Sequence, residues 1–111
     1  MFNYPYLVEL LSPKSSADDQ IEGLLDGFAT RYRKIIDAGF GISVPDNPMG
    51  QPRLGLLKSI DLRGLSVDPK KVVMNLNTFH TKRELDGLIQ RAAKANLKYI
   101  LVVRVWIVHI I

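Results

Sequence analysis

The sequence predicts an α/β fold in which parallel strands alternate with helical crossovers. Strand and helix signals take turns along the chain in the order β-α-β-(α)-β-α-β, which favours a mainly parallel sheet. The 111 residues are 47% hydrophobic and 23% charged, which is typical of one globular domain or of part of one. The chain has no cysteine, and its first residues lack the features of a secretory signal. We therefore expect a cytoplasmic protein.

The net charge of +4 does not indicate a nucleic-acid partner. Lys and Arg are scattered, and the densest runs, Arg31–Lys34 and Lys70–Lys71, are better explained as solvated helix faces. The two histidines, His80 and His109, have no spacing that suggests a metal site. No nucleic acid, metal or membrane is expected as a partner.

The first strand signal is the apolar run Tyr6–Leu11, which contains Glu9 and is followed by Ser12 and Pro13. A strand of this composition is predicted to be buried on both faces. A buried carboxylate is costly unless it is paired or neutral, and chemistry in α/β proteins collects where strands end. Glu9 is therefore the first candidate site residue. The alternative is a glutamate that reaches solvent or pairs with Lys14.

The next segment predicts a helix that begins after Ser16, with Asp19 at the acidic third position. Gly39 is a natural stop for this helix. Gly41–Val44 then predicts a short strand, and the prolines and glycine of 45–52 predict a loop. The apolar positions of the helix keep the three-and-four spacing of one buried stripe: Ile21, Leu24, Leu25, Phe28, Tyr32, Ile35 and Ile36.

The second half of the chain predicts a further strand, helix and strand. Between Arg53 and Asp68 a short helix is indicated, although Gly55 and Gly64 weaken the pattern. A strand follows at Val72–Leu76. Thr81 and Glu84 then form a capping box ahead of an apolar stripe, which predicts a helix that ends at Asn96. The fourth strand is predicted to begin at Tyr99, and His80 is expected to be a solvated loop residue.

Three segments resemble the methylenetetrahydrofolate reductase family. The strand of Glu9 with Ser12-Pro13 is similar to the family's first strand, and Ile42–Val44 is similar to its second. Glu84–Arg104 looks like the family's third helix and fourth strand, which ends in Leu-Arg-Gly-Asp. The resemblance covers most of positions 6 to 104 and implies the N-terminal half of a (β/α)8 TIM barrel.

The resemblance also implies a cofactor and a reaction. The family binds FAD non-covalently and uses NAD(P)H to reduce 5,10-methylenetetrahydrofolate, a folate substrate, to 5-methyltetrahydrofolate. Glu9 matches the family's acid, and an apolar strand end favours the neutral carboxyl that this role needs. Asn75 stands where the family has a histidine beside the flavin. Val103 and Arg104 match the Leu-Arg pair near the cofactor, where Arg104 could bind the pyrophosphate.

The chain departs from the family at its last residues and in its length. After Arg104 the family's Gly-Asp is missing, so we divide the chain into a partial barrel at 1–104 and a foreign apolar tail at 105–111. A complete barrel takes roughly 250 residues, so about four of eight strands are present. We expect little or no reductase activity, low solubility, and a homo-oligomer that covers the open sheet edges.

Two alternatives come from other functional classes. One is a folate- or corrinoid-linked methyl-transfer partner, which would bind tetrahydrofolate without flavin. The other is a non-enzymatic interaction module whose apolar tail, with Trp106, docks on a partner or on a membrane surface. Absorbance in the flavin bands separates the first alternative from a reductase, and deletion of Val105–Ile111 tests the second.

Overall fold

The computed structural model describes residues 6–16, 18–45, 53–77 and 80–103. Four strands alternate with three helices, and a short 3-10 helix at Asp18–Gln20 precedes the first helix. The elements are β1 (Leu7–Glu9), α1 (Ile21–Asp37), β2 (Gly41–Val44), α2 (Leu56–Arg63), β3 (Val72–Asn77), α3 (Lys82–Lys94) and β4 (Tyr99–Val103). The predicted alternation of strands and helices is confirmed.

The four strands form one all-parallel sheet in the order β1-β2-β3-β4. Consecutive strands are neighbours, so each helix is the crossover between two adjacent strands. The register places Glu9 beside Ser43, Ser43 beside Val73, and Val73 beside Tyr99. These four residues therefore form one row across the sheet, and side chains that share a row point to the same face.

All three helices cover one face of the sheet. A single core cluster joins strand residues at alternate positions with residues of every helix. Ile42 and Phe28 are fully buried in this cluster, and Ala92 brings α3 into it. No described helix lies against the opposite face. Leu7 and Leu101 are 49% and 53% exposed there. The sheet therefore has one packed face and one open face.

Each helix ends in the same backbone arrangement. A residue with positive φ follows the last turn, and the next N–H bonds to the carbonyl five residues earlier, as in a Schellman motif. Gly39, Gly64 and Asn96 are the three residues, with φ of 85°, 58° and 67°. The bonds run from Phe40, Leu65 and Leu97 to Ile35, Ile60 and Ala92. The predicted stops at Gly39 and Asn96 are confirmed.

Three expectations about the elements were wrong in detail. The first strand is shorter than Tyr6–Leu11 and is not buried on both faces, because it is an edge strand with helices on one side only. The helix after Ser16 begins at Ile21, and its N-cap residue Gln20 makes no side-chain cap, because the 3-10 turn comes first. The two glycines near α2 do not weaken this helix. Gly55 and Gly64 flank it as its cap residues.

Candidate functional site

The open face of the sheet carries the polar candidates of three strands. Glu9 on β1 lies in register with Ser43 on β2, and neighbouring strands are about 4.8 Å apart. Asn75 on β3 lies two residues beyond the row partner Val73, on the same face. The structure therefore brings Glu9 and Asn75 to one face, and it adds Ser43, which was not among the predicted site residues. The alternation with the buried residues Ile42 and Val44 was the signal that could have found it.

Glu9 is exposed to solvent, so the buried environment predicted for it is absent from this structure. It makes no ion pair or side-chain hydrogen bond within the described ranges, and Lys14 forms a backbone bridge with Arg53 instead. Of the alternatives weighed from the sequence, the glutamate that reaches solvent is the one observed. Glu9 would enter apolar surroundings only if further protein covered the open face.

Ser43 and Asn75 form a hydrogen bond across β2 and β3. The Ser43 hydroxyl donates to Asn75 Oδ1 over 3.3 Å, and both side chains are half-buried. Because this bond uses the Asn75 oxygen as acceptor, the amide nitrogen keeps two N–H donors that can be offered to a ligand. Asparagine does not titrate, so it can orient a bound group but cannot exchange a proton with it.

The remaining family-matched positions lie at or beyond the limit of the described chain. Val103 is the last residue of β4 and pairs in register with Asn77. Arg104 and the tail 105–111 lie outside the described residues. The structure therefore gives no position for the arginine expected near the cofactor.

A cavity of about 200 Å³ lies where β2 and β3 end, on the side of the sheet that faces the helices. Arg53, Arg91 and His80 line it, together with residues of β2 and β3. Its position agrees with the rule that ligands of open parallel sheets bind at the carboxyl ends of the strands. The expectation of a solvated His80 was wrong, because its side chain is only 15% exposed. The ring lies against α3, with Nδ1 at 3.4 Å from Glu84 Oε2.

Ser12 fixes the start of α2 at this edge of the sheet. Its fully buried hydroxyl accepts a hydrogen bond of 2.9 Å from the Gly55 N–H, and its carbonyl accepts one of 2.6 Å from Arg53 Nη1. Gly55 has a φ of 84°, a backbone conformation that glycine adopts without strain. The sequence gives no sign of this role for Ser12, since no local pattern reveals a partner 43 residues away.

Two titratable groups next to these elements have displaced pKa values. Burial, and secondarily the charge of Asp68, raises the pKa of Tyr32 to about 12. Its hydroxyl donates to the Ser66 carbonyl over 2.9 Å. The side chain of Thr81, then its backbone N–H and the His80 ring, hold the pKa of Glu84 below its ordinary value. Both interactions hold a helix in place, and neither creates a group poised for proton transfer near neutral pH.

Comparison of the chain with models of protein families, with curated proteins and with solved structures finds no match. The described residues contain no cluster of His, Cys, Asp or Glu that could hold a metal ion. None of the helices in the described ranges is long and apolar enough to span a membrane.

Proposed function

We propose that this chain is the first half of a flavin-dependent barrel of the methylenetetrahydrofolate reductase type. One observation carries the proposal: Glu9, Ser43 and Asn75 lie on one face of an all-parallel sheet whose strand order follows the chain. Parallel strands in sequential order, with every helix on one side, are the arrangement of consecutive units in a (β/α)8 barrel. The open face would then be the interior of the barrel.

The open face suits the ring of a flavin better than its phosphates. Ser43, Asn75 and Glu9 offer a hydroxyl, an amide and a carboxylate, which are groups that hydrogen-bond to ring nitrogens and oxygens. Bound FAD would supply hydride transfer, and these side chains would orient it. Strands β1 to β4 carry no Lys or Arg, so a pyrophosphate would depend on Arg104, outside the described residues.

Little or no turnover is expected from this polypeptide alone. The four strands of the described residues cannot close a barrel of eight, and the open face leaves Glu9 in solvent. The acid role proposed for Glu9 needs apolar surroundings, and the exposed side chain has none in this structure. Reduction of 5,10-methylenetetrahydrofolate with NAD(P)H in the cytoplasm would thus require further strands beside the edges of this sheet.

Titration of FAD with the full chain, followed by quenching of flavin fluorescence, tests the proposal. We expect quenching that Asn75→Ala weakens several-fold and that Gln90→Ala, an exposed change on α3, leaves unchanged. An unquenched flavin, or equal effects of the two substitutions, contradicts the flavin site. NADPH oxidation above background with methylenetetrahydrofolate and purified chain contradicts the expected lack of activity.

A further inference from the structure

A groove of about 770 Å³ separates α2 from α3 on the helical side of the sheet. Its floor is apolar and is formed by Leu57, Ile60 and Leu65 from α2 and the segment after it, and by Ala95 from the end of α3. Ile60 and Leu65 are buried at the bottom, whereas Leu62 at the edge is 47% exposed. We call this feature the α2–α3 groove.

The junction between the neighbouring helices α1 and α2 is closed. Arg63 on α2 forms ion pairs with Glu22 and Asp26 on α1, and its side chain is only 19% exposed. The two helices are also in direct contact. Opposite charges therefore lie on the two sides of that junction and hold it together.

The α2–α3 groove carries charges of the same sign on its two sides, unlike the α1–α2 junction. Lys58 lies on the α2 side, and Arg91 and Lys94 lie on the α3 side. None of the three makes an ion pair or a side-chain hydrogen bond within the part of the chain that the structure describes. Asp61 is the only acidic residue among the described ones that line the groove. Like charges on both sides disfavour direct packing of α2 against α3, so the apolar floor stays accessible.

We propose that the α2–α3 groove binds an acidic amphipathic helix of a partner protein. A groove between two helices, with an apolar floor and charged edges, is the form in which proteins receive the apolar face of a third helix. Leu57, Ile60 and Leu65 would contact its apolar residues, and Lys58, Arg91 and Lys94 would pair with its carboxylates. Charge complementarity selects the partner, since a basic helix would meet three unpaired cations.

A nucleic acid fits this groove less well. Single strands bind on exposed aromatic side chains, and duplexes bind on polar surfaces rich in arginine and lysine, whereas aliphatic side chains form this floor. The proposal does not depend on the flavin site, which lies on the opposite face of the sheet. Failure of either proposal leaves the other intact.

The test uses the full chain and a labelled synthetic helix with Leu at positions i, i+3, i+4 and i+7 and Glu at the flanking positions. A matched peptide carries Lys in place of each Glu. Fluorescence anisotropy at low salt should show the Glu peptide binding at least about tenfold more tightly than the Lys peptide. The double variant Arg91→Gln/Lys94→Gln should weaken the Glu peptide by about fivefold or more.

The matched control is Arg33→Gln/Lys34→Gln, which removes two exposed positive charges near the end of α1 and gives the same net charge. It should bind the Glu peptide as the native chain does. Absence of binding, equal affinity for the two peptides, or an equal loss in the control variant overturns the proposal. A dimer in sedimentation that Arg91→Gln/Lys94→Gln dissociates also overturns it, because the groove would then hold a second copy of this chain. Thermal denaturation of both variants confirms that folded proteins are compared.

Discussion

The Ser43 hydroxyl donates a hydrogen bond of 3.3 Å to Asn75 Oδ1 and so connects β2 to β3 through their side chains on the open face of the sheet. The two residues are 32 positions apart in the chain. The bond orients the Asn75 amide with its N–H groups free for a ligand. It is therefore a contact between strands and a constraint on the proposed flavin site.

A double-mutant cycle measures this bond. Ser43→Ala and Asn75→Ala each remove one partner, and we expect a coupling energy of about 0.5–1 kcal/mol from urea denaturation, the range for a half-buried neutral hydrogen bond. The pair Ser43→Ala with Gln90→Ala, which share no contact, should be additive. Additivity in the Ser43–Asn75 cycle would show that the bond contributes nothing in solution.

Tyr32 should make the stability fall at alkaline pH. Its pKa is raised from 10.0 to about 12 in the folded chain, chiefly by burial, so the unfolded chain loses this proton first. The contribution of Tyr32 to the free energy of unfolding is complete below pH 10. It declines between pH 10 and 12, because the unfolded state then binds fewer protons than the folded state. The loss of unfolding free energy from this group should reach about 2–3 kcal/mol.

Tyr32→Phe is the matched variant for that titration. At neutral pH it should lose about 1 kcal/mol, since the bond to the Ser66 carbonyl disappears. Above pH 10 its free energy of unfolding should fall less steeply than that of the native chain, so the unfolding free energies of the two proteins converge as the pH rises. Parallel pH dependences would show that Tyr32 does not titrate as its burial implies.

Ser12→Ala should destabilise the chain by about 1–3 kcal/mol, because the Gly55 N–H at the start of α2 loses its acceptor. Ser15→Ala, at an exposed position three residues away, should have almost no effect. Urea denaturation of both variants provides the comparison. Equal stabilities would show that water replaces the hydroxyl at no cost.

Thr81→Ala should cost about 1 kcal/mol of unfolding free energy by removing the cap of α3. Thr81 accepts from the Glu84 N–H over 3.2 Å, and the Glu84 carboxylate accepts from the Thr81 N–H. Thr81→Ser keeps the acceptor oxygen and should retain most of the stability. A Ser variant as unstable as the Ala variant would assign the loss to the methyl group instead of the cap.

Leu101→Lys should reduce self-association with little change in stability. Leu101 is 53% exposed on the open face, so a charge there costs little burial and disfavours contact between sheets. Ile89→Lys, at a position 47% exposed on α3, is the control on the other side of the molecule. Sedimentation should show a smaller associated fraction for Leu101→Lys only. Equal effects would mean that net charge, and not the open face, governs association.

Local patterns in the sequence predicted most of the secondary structure. Apolar periodicity predicted the strands and the long helices, the Thr81–Glu84 spacing predicted a cap that the structure contains, and Gly39 and Asn96 predicted helix ends. These features depend on contacts within a few residues, so the sequence alone contains them. The start of α1 was missed because the 3-10 turn before it competes with a cap at Ser16.

Only the tertiary structure decided the environment of the candidate residues. The apolar run around Glu9 predicted burial, yet an edge strand with helices on one face leaves this carboxylate in solvent. The pairs Ser43–Asn75 and Ser12–Gly55 join residues 32 and 43 positions apart, and such contacts follow from sheet register and chain crossover. The α2–α3 groove also arises from packing, because it depends on which helix faces are left without a neighbour. The sequence by itself determined the elements and their order, since local interactions govern these. Packing determined which side chains meet and which remain exposed, because that depends on how distant segments come together.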